Sequence, residues 1–191
     1  MSSTSATSKP VDADTSVSVW NIDPAHSIAE FRVRHMMISY VRGEFSGLSG
    51  VLNLNESDYT RSTVSASIRA ASVRTVDERL DAHLKNADFF DVEKFPELTF
   101  TSKSIQVAGS RNYLVNGDLT IHGVTRPVIL TVNDVSDPSN DPWGNQRIGL
   151  SGSAKINHKD FGIIWNTALD SGGVLVGDEV AISLDVQFIK V

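Results

Sequence analysis

From Val19 to the C-terminus, apolar and polar residues alternate with a period of two, the signature of strands with one buried and one wet face. In AEFRVRH, Ala29, Phe31 and Val33 share one face and Arg32 and Arg34 the other. TVSASIRA repeats the pattern with Val64, Ala66, Ile68 and Ala70, and YLVNGDLTI with Tyr113, Val115, Leu119 and Ile121. PVILTV supplies Val128, Leu130 and Val132; RIGLSGSAKI supplies Ile148, Leu150, Ala154 and Ile156. DEVAISLDVQF closes the series with Val180, Ile182, Leu184, Val186 and Phe188. Two further strands are predicted near 41–54 and 97–107. Their apolar parity changes partway, between Phe45 and Leu48 and between Phe100 and Ile105, which marks a bulge or bend. The segments GLSG, NES, AGSRN, SDPSNDPWGN and SGG read as turns. Long antiparallel strands leave bare edges unless the sheet closes, and about eight of them close into a barrel able to hold one small ligand. The expected fold class is therefore all-β, an eight-stranded antiparallel barrel.

One stretch departs from this rhythm. RLDAHLKNADFFDVEKFPELTF places Leu80, Leu84 and Ala87 at helical spacing. TVDE before it matches a capping box, with Thr75 as N-cap and Glu78 at the third position. Asp77, Glu78 and Asp81 fall in the first turns, where the helix dipole favours negative charge. A short helix over about 76–87 is predicted, with Phe95 biased to extended backbone by Pro96. Phe89 and Phe90 follow the helix at the join to a strand. Adjacent residues of an extended chain point opposite ways. One ring then faces the barrel interior and the other packs under the helix, or both simply fill the core there.

Composition narrows the function classes. The chain has 191 residues, enough for one domain with a sizeable core, and carries a net charge of -6. An acidic balance argues against nucleic acid as partner. The absence of cysteine excludes disulfides, thiolate metal sites and cysteine nucleophiles. No apolar run reaches membrane-span length. The Ser/Thr-rich residues 1–18 have the composition of a disordered tail, leaving 19–191 as a single domain. A chain starting at this Met1 without an apolar signal core is expected in the cytoplasm; a longer precursor would point to the periplasm.

Signatures of catalysis are missing: no phosphate-binding glycine loop, no nucleophile elbow, no zinc-protease motif. The histidines, His26, His35, His83, His122 and His158, form no tight ligand pair, and no metal is expected. His83 with Asp88 or Asp91 is the one conceivable acid–base set, although a capped surface helix explains those residues more simply. Asn55 in NES matches a glycosylation sequon by pattern alone. In FGIIWNTALDSGGVLVGDEV, large apolar residues including Phe161 and Trp165 lead into a glycine-rich loop, as at a pocket mouth or a barrel-end stopper.

Four stretches in register carry further information: WNIDPAHSIAEFRVRHMMISYVRGEFSGLSGVL, RLDAHLKNADFFDVEKFPELTFTS, VNGDLTIHGVTRPVILTV and KINHKDFGIIWNTALDSGGVLVGDEVAISLDVQF. Together they resemble the YceI family of lipocalin-like, polyisoprenoid-binding proteins. The resemblance implies an extended lipocalin-like barrel around an apolar tunnel, a long-chain isoprenoid or quinone-like lipid as ligand, and a homodimer. It implies noncatalytic binding, transport or storage, with no cofactor beyond the lipid. Tunnel walls are expected from Phe31, Val33, His35, Phe45, Ile68, Phe100, Leu119, Ile121 and Phe188. Phe89, Phe90, Phe161 and Trp165 are expected at its ends, and His35, Arg42, Asn166 and Asp170 as head-group contacts. Two alternatives stay open: an enzyme acting on a lipid pyrophosphate head through His83 with Asp88 or Asp91, and a stress-related interaction module with a filled barrel. Small inward residues (Ala29, Ala66, Ala70, Gly117, Gly152 and Ala154) weigh for empty space inside.

Overall fold

A computed structural model describes residues 16–170 and 172–191. Residues 1–15, most of the expected tail, lie outside the described residues. The first strand begins at Val17, two residues inside that expected tail, because Val17 and Ser18 pair with Asn55 and Leu54.

Twelve ladder segments form the sheet: β1 (Val17–Ile22), β2 (Ile28–His35), β3 (Ser39–Phe45), β4 (Leu48–Asn55), β5 (Thr63–Arg69), β6 (Val73–Arg74), β7 (Glu97–Gly109), β8 (Asn112–Ile121), β9 (Val124–Asn133), β10 (Ser139–Asn140), β11 (Gln146–Asn157) and β12 (Val176–Lys190). They reduce to eight barrel strands. β1 and β2 are one broken strand, since both pair with β12, β1 through Ile22↔Phe188 and β2 through Ala29↔Leu184. β3 and β4 are likewise consecutive, pairing with β2 and β1 respectively. Each strand then pairs with the next in sequence, and the last returns to the first, so the antiparallel sheet closes without a free edge.

Both expected irregularities exist. The break near 45–48 falls at Ser46 and Gly47, where Gly47 N donates to Ser72 Oγ at 3.1 Å. The parity change in β7 is a register shift between Ser102 and Ser104. A third break comes from Pro24, which opens a single 3-10 turn at 24–26 and interrupts the first strand. Asp23 caps this turn, accepting from Ala25 N at 3.0 Å. Arg147 locks it to the sheet, with Nη1 2.6 Å from Asp23 Oδ2 and Nε 2.8 Å from Asp141 Oδ2. Arg147, then His26, hold the Asp23 carboxyl down to about 2. Asp141 is also held far below the usual carboxylate range, chiefly by Arg147.

α1 (Glu78–Lys85) is shorter than the predicted helix and capped differently. Asp77, not Thr75, is the N-cap, accepting from Arg79 N at 2.9 Å. Thr75 instead ties the approach to the helix, its Oγ1 donating to Asp81 Oδ1 at 2.7 Å. Asp81 was the better acceptor because it lies one helical turn beyond the cap and faces back to the incoming chain.

The outer surface of the barrel carries ion pairs such as Lys103–Asp118 at 2.7 Å and Lys155–Glu179 at 2.9 Å. That is the reverse of a membrane-spanning barrel, whose apolar band faces outward. No helix among the described residues is long and apolar enough to cross a membrane. The sequon residue Asn55 is only 1% exposed, its Oδ1 accepting from Ser57 N and Asp58 N, so it organises a turn.

Candidate functional site

The inward faces do not fill the barrel. They enclose a cavity of about 300 Å³ with an almost wholly apolar wall, to which every barrel strand contributes. Apolar cavities of roughly 150 Å³ already stay dry and take up benzene, and ligand sites start at about 300 Å³. Tyr113 at the start of β8 and Ile121 at its end both line the cavity. Eight residue steps at ~3.3 Å each give a run of ~26 Å along the strand, or ~20 Å along the axis for strands tilted by ~40°. The barrel is therefore not filled solid, as the interaction-module alternative required of it.

The small inward residues do not all signal empty space. A Cβ on Gly117 would fall 2.4 Å from Cζ of Phe100, and one on Gly43 2.4 Å from Cζ of Phe31. These glycines let the two phenylalanine rings lie flat against the neighbouring strand, so the rings line the cavity instead of blocking it. Gly152 is likewise covered by Leu184.

Most of the expected wall is where the period-two pattern put it. Phe31, Val33, Phe45, Ile68, Phe100, Leu119, Ile121 and Phe188 line the cavity, and Phe89, Phe90 and Phe161 do so at the helix end. The two adjacent phenylalanines diverge, although both line the cavity. Phe90 packs edge-on against Phe45, centroids 5.4 Å apart, while Phe89 meets His83 at 4.9 Å and Trp165 at 5.3 Å. They do so from a turn, not from extended chain: Phe90 N donates to Leu84 O and Asp91 has a left-handed φ of 46°.

Six expectations need correction. Trp165, expected at a tunnel end as a lipid contact, does not line the cavity; it stacks behind the lining residue Phe89 and edge-on to His83 at 4.9 Å. His35 pairs with Val176 and Ser39 at the end of β2 and does not itself line the cavity, although Val176 does. Arg42 stands opposite Arg32 on the outer face of β3, because its parity is that of the wet side. Asn166 is committed to backbone, donating to Val176 O at 2.7 Å and accepting from Val176 N at 3.0 Å. Asp170 is exposed on the loop that follows. No expected head-group residue therefore touches the cavity. The acid–base set also falls outside it: His83 Nε2 lies 3.0 Å from Asp88 Oδ2 at the surface, and Asp91 serves the turn.

Polar groups on the wall come from residues not anticipated as such. Tyr59 and Tyr113 meet at one end, centroids 6.0 Å apart, and burial raises the Tyr59 phenol above its ordinary value. At the other end His158 is 7% exposed. Its Nδ1 donates to Ile163 O at 2.5 Å, which leaves Nε2 buried with no partner among the described residues. The signal for His158 was present: it continues the even-numbered parity of Ile148, Leu150, Ala154 and Ile156. Among the described residues no three His, Asp or Glu side chains gather as a metal site.

Comparison with known proteins agrees with this geometry. A family model described as a YceI-like domain matches residues 20–188. A UPF0312 protein of Photorhabdus laumondii is 38% identical over 141 residues, 74% of this chain and 72% of that protein. Among solved structures, Burkholderia cenocepacia BcnA superposes with a TM-score of 0.75 at 24% identity, covering 87% of this chain and 98% of that one. A polyisoprenoid binding domain from Saccharophagus degradans, implicated in plant cell wall breakdown, gives 0.64 at 16% identity over 92% and 99%. At those identities the two structures speak for the fold.

Proposed function

The chain belongs to the YceI-like family, and we propose that it is a noncatalytic carrier that shelters a long-chain polyisoprenoid or quinone-like lipid inside the barrel. One observation carries this reading: the cavity is elongated, almost wholly apolar and lined from Tyr113 to Ile121. A lipid tail in water is unfavourable, and each methylene withdrawn from it contributes about 0.8 kcal/mol. A tail of ~40 carbons gives on the order of 30 kcal/mol by simple addition, beyond the ~18–21 kcal/mol ceiling of noncovalent binding. Ordering the tail offsets the excess. Such a wall sorts ligands by apolarity and approximate length and discriminates poorly by single methylenes.

Of the polar residues on the wall, which also include Glu30, Ser62 and Thr99, the Tyr59–Tyr113 pair at one end and His158 at the other are the ones assigned to a head group. With Nδ1 donating to Ile163, a neutral His158 ring offers Nε2 as an acceptor, suited to a prenol hydroxyl. A homodimer and a cytoplasmic location, expected from the sequence, belong to the same proposal and are checked by light scattering and cell fractionation.

The test is native mass spectrometry of gently purified protein, followed by lipid extraction. A ligand of long apolar chain, displaced by added polyprenol, is the expected result. Protein that carries no such ligand and takes up none from added polyprenol contradicts the proposal.

A further inference from the structure

The hairpin joining β2 to β3 ends in three residues that the barrel does not use. Met36, Met37 and Ile38 are 40, 55 and 77% exposed. Met36 and Met37 hold left-handed backbone, φ 51° and 61°, a region uncommon for side chains other than glycine, asparagine and aspartate. A hairpin that needed only to turn would favour those residues. This one instead presents bulky apolar side chains to water. The tip is also fixed in place: Met36 N donates to Leu175 O at 2.8 Å, and Leu175 N to Thr167 O at 2.8 Å. The segment so attached carries Ile164, 73% exposed.

Directly behind the tip the outer face of the hairpin turns basic. Arg34 stands opposite Tyr40 and Arg32 opposite Arg42. The guanidinium groups of Arg34 and Arg32 lie 4.2 and 5.2 Å from the centre of the Tyr40 ring. All three arginines are exposed, and among the described residues no carboxylate forms a salt bridge with them. Acid returns in the next row, Glu30 opposite Glu44, and on β12, where Asp178 is held by Lys159 and Glu179 by Lys155. Three cations and a tyrosine are thus gathered beside an apolar tip on a chain of net charge -6. The inner face of the same hairpin is cavity wall, through Phe31 and Val33.

We propose that this hairpin docks on an anionic lipid bilayer. Met36, Met37 and Ile38 enter the acyl boundary, Tyr40 sits at head-group depth, and Arg32, Arg34 and Arg42 meet the lipid phosphates. An apolar tip backed by a collar of aromatic and basic residues is the arrangement that interfacial anchors use. Each arginine beside an anionic leaflet contributes about 1 kcal/mol, about fivefold in partitioning. The inference rests on the carrier reading and extends it, since docking brings the cavity wall within three residues of the inserted tip. Val33 is ~10 Å along the strand from Met36, at ~3.3 Å per residue.

The experiment is vesicle co-flotation of the whole chain with phosphatidylcholine alone and with phosphatidylcholine mixed with phosphatidylglycerol, at low and high salt. The expected result is salt-sensitive binding to the mixed vesicles. It falls at least tenfold in the Met37→Ser/Ile38→Ser double variant and about fivefold in Arg34→Gln, with unfolding temperatures unchanged. Equal binding by the variants, or none by the parent chain, overturns the proposal. So does a parent dimer that the double variant converts to monomer without change in vesicle binding, which would make the tip an interface between copies. Lipid content by native mass spectrometry is measured alongside. An empty cavity with intact vesicle binding would count against the carrier and not against the docking.

Discussion

Ala66 is the place to obstruct the tunnel. It lines the cavity from the middle of β5, with Val64 towards one end and Ile68 towards the other. In the ladder it stands opposite Phe100, which in turn stands opposite Leu119. Ala66→Trp projects an indole across this row from a wall that has space before it. Overpacking of a core costs about 1–3 kcal/mol, which a domain of this size survives with a fall in Tm of several degrees, at about 2–4 °C per kcal/mol. The effect on a long ligand is larger. Excluding as few as four methylenes removes about 3 kcal/mol, at about 0.8 kcal/mol each, which is at least a hundredfold in Kd. A tail short enough to occupy one side of the indole loses little. Displacement of a fluorescent apolar probe by a series of prenols of increasing length reads both effects. The expected outcome is a hundredfold or greater loss for long prenols with short ones within a few-fold of the parent chain. An Ala66→Trp protein that folds and binds long prenols unchanged would refute a ligand path along the barrel axis.

Gly43→Val is expected to lower stability by about 1–3 kcal/mol, read by thermal unfolding, because its Cβ would sit 2.4 Å from the Phe31 ring; the displaced ring also narrows the cavity and weakens probe binding. Asp23 makes stability fall in acid. Its folded value of about 2 lies below the ordinary aspartate value of 3.8, so its contribution is complete above about pH 4 and is lost as pH falls towards 2. Asp141 acts in the same direction. Arg147→Leu removes the cation that both carboxylates share, and is expected to lower the unfolding temperature at neutral pH and flatten the acid-dependent step in a pH series of thermal melts. Trp165→Ala is expected to speed release of the bound probe in stopped flow while leaving its equilibrium affinity within a few-fold, since Trp165 backs Phe89 at 5.3 Å without lining the cavity.

The barrel was legible because a closed sheet with one wet and one apolar face imposes strict alternation. The inward sets from Ala29 to Phe188 follow it except at the break at Ser46 and Gly47 and the register shift between Ser102 and Ser104, and His158 could have been found by extending the same parity one step past Ile156. What the pattern could not give was the use of individual polar side chains. Arg42 has the right chemistry for a head group but the wrong parity, which was itself readable. Asn166 was not readable, because its bonds to Val176 span ten residues of irregular loop. Helix capping shifted from Thr75 to Asp77 for a similar reason: a tie between Thr75 and Asp81 competed with the local motif. Nor does sequence distinguish a glycine that leaves space from one that receives a ring, as Gly117 receives Phe100.

The central claim is that an apolar chain lies inside the barrel along its length. Methyl-labelled protein with an unlabelled polyprenol tests it directly through intermolecular nuclear Overhauser contacts. Contacts from one prenol to Leu54 and Leu130 and also to Ile121 and Ile156, all on the cavity wall, are what the account predicts. Contacts confined to exposed methyl groups such as those of Ile38 and Ile164, with the interior silent, would contradict it.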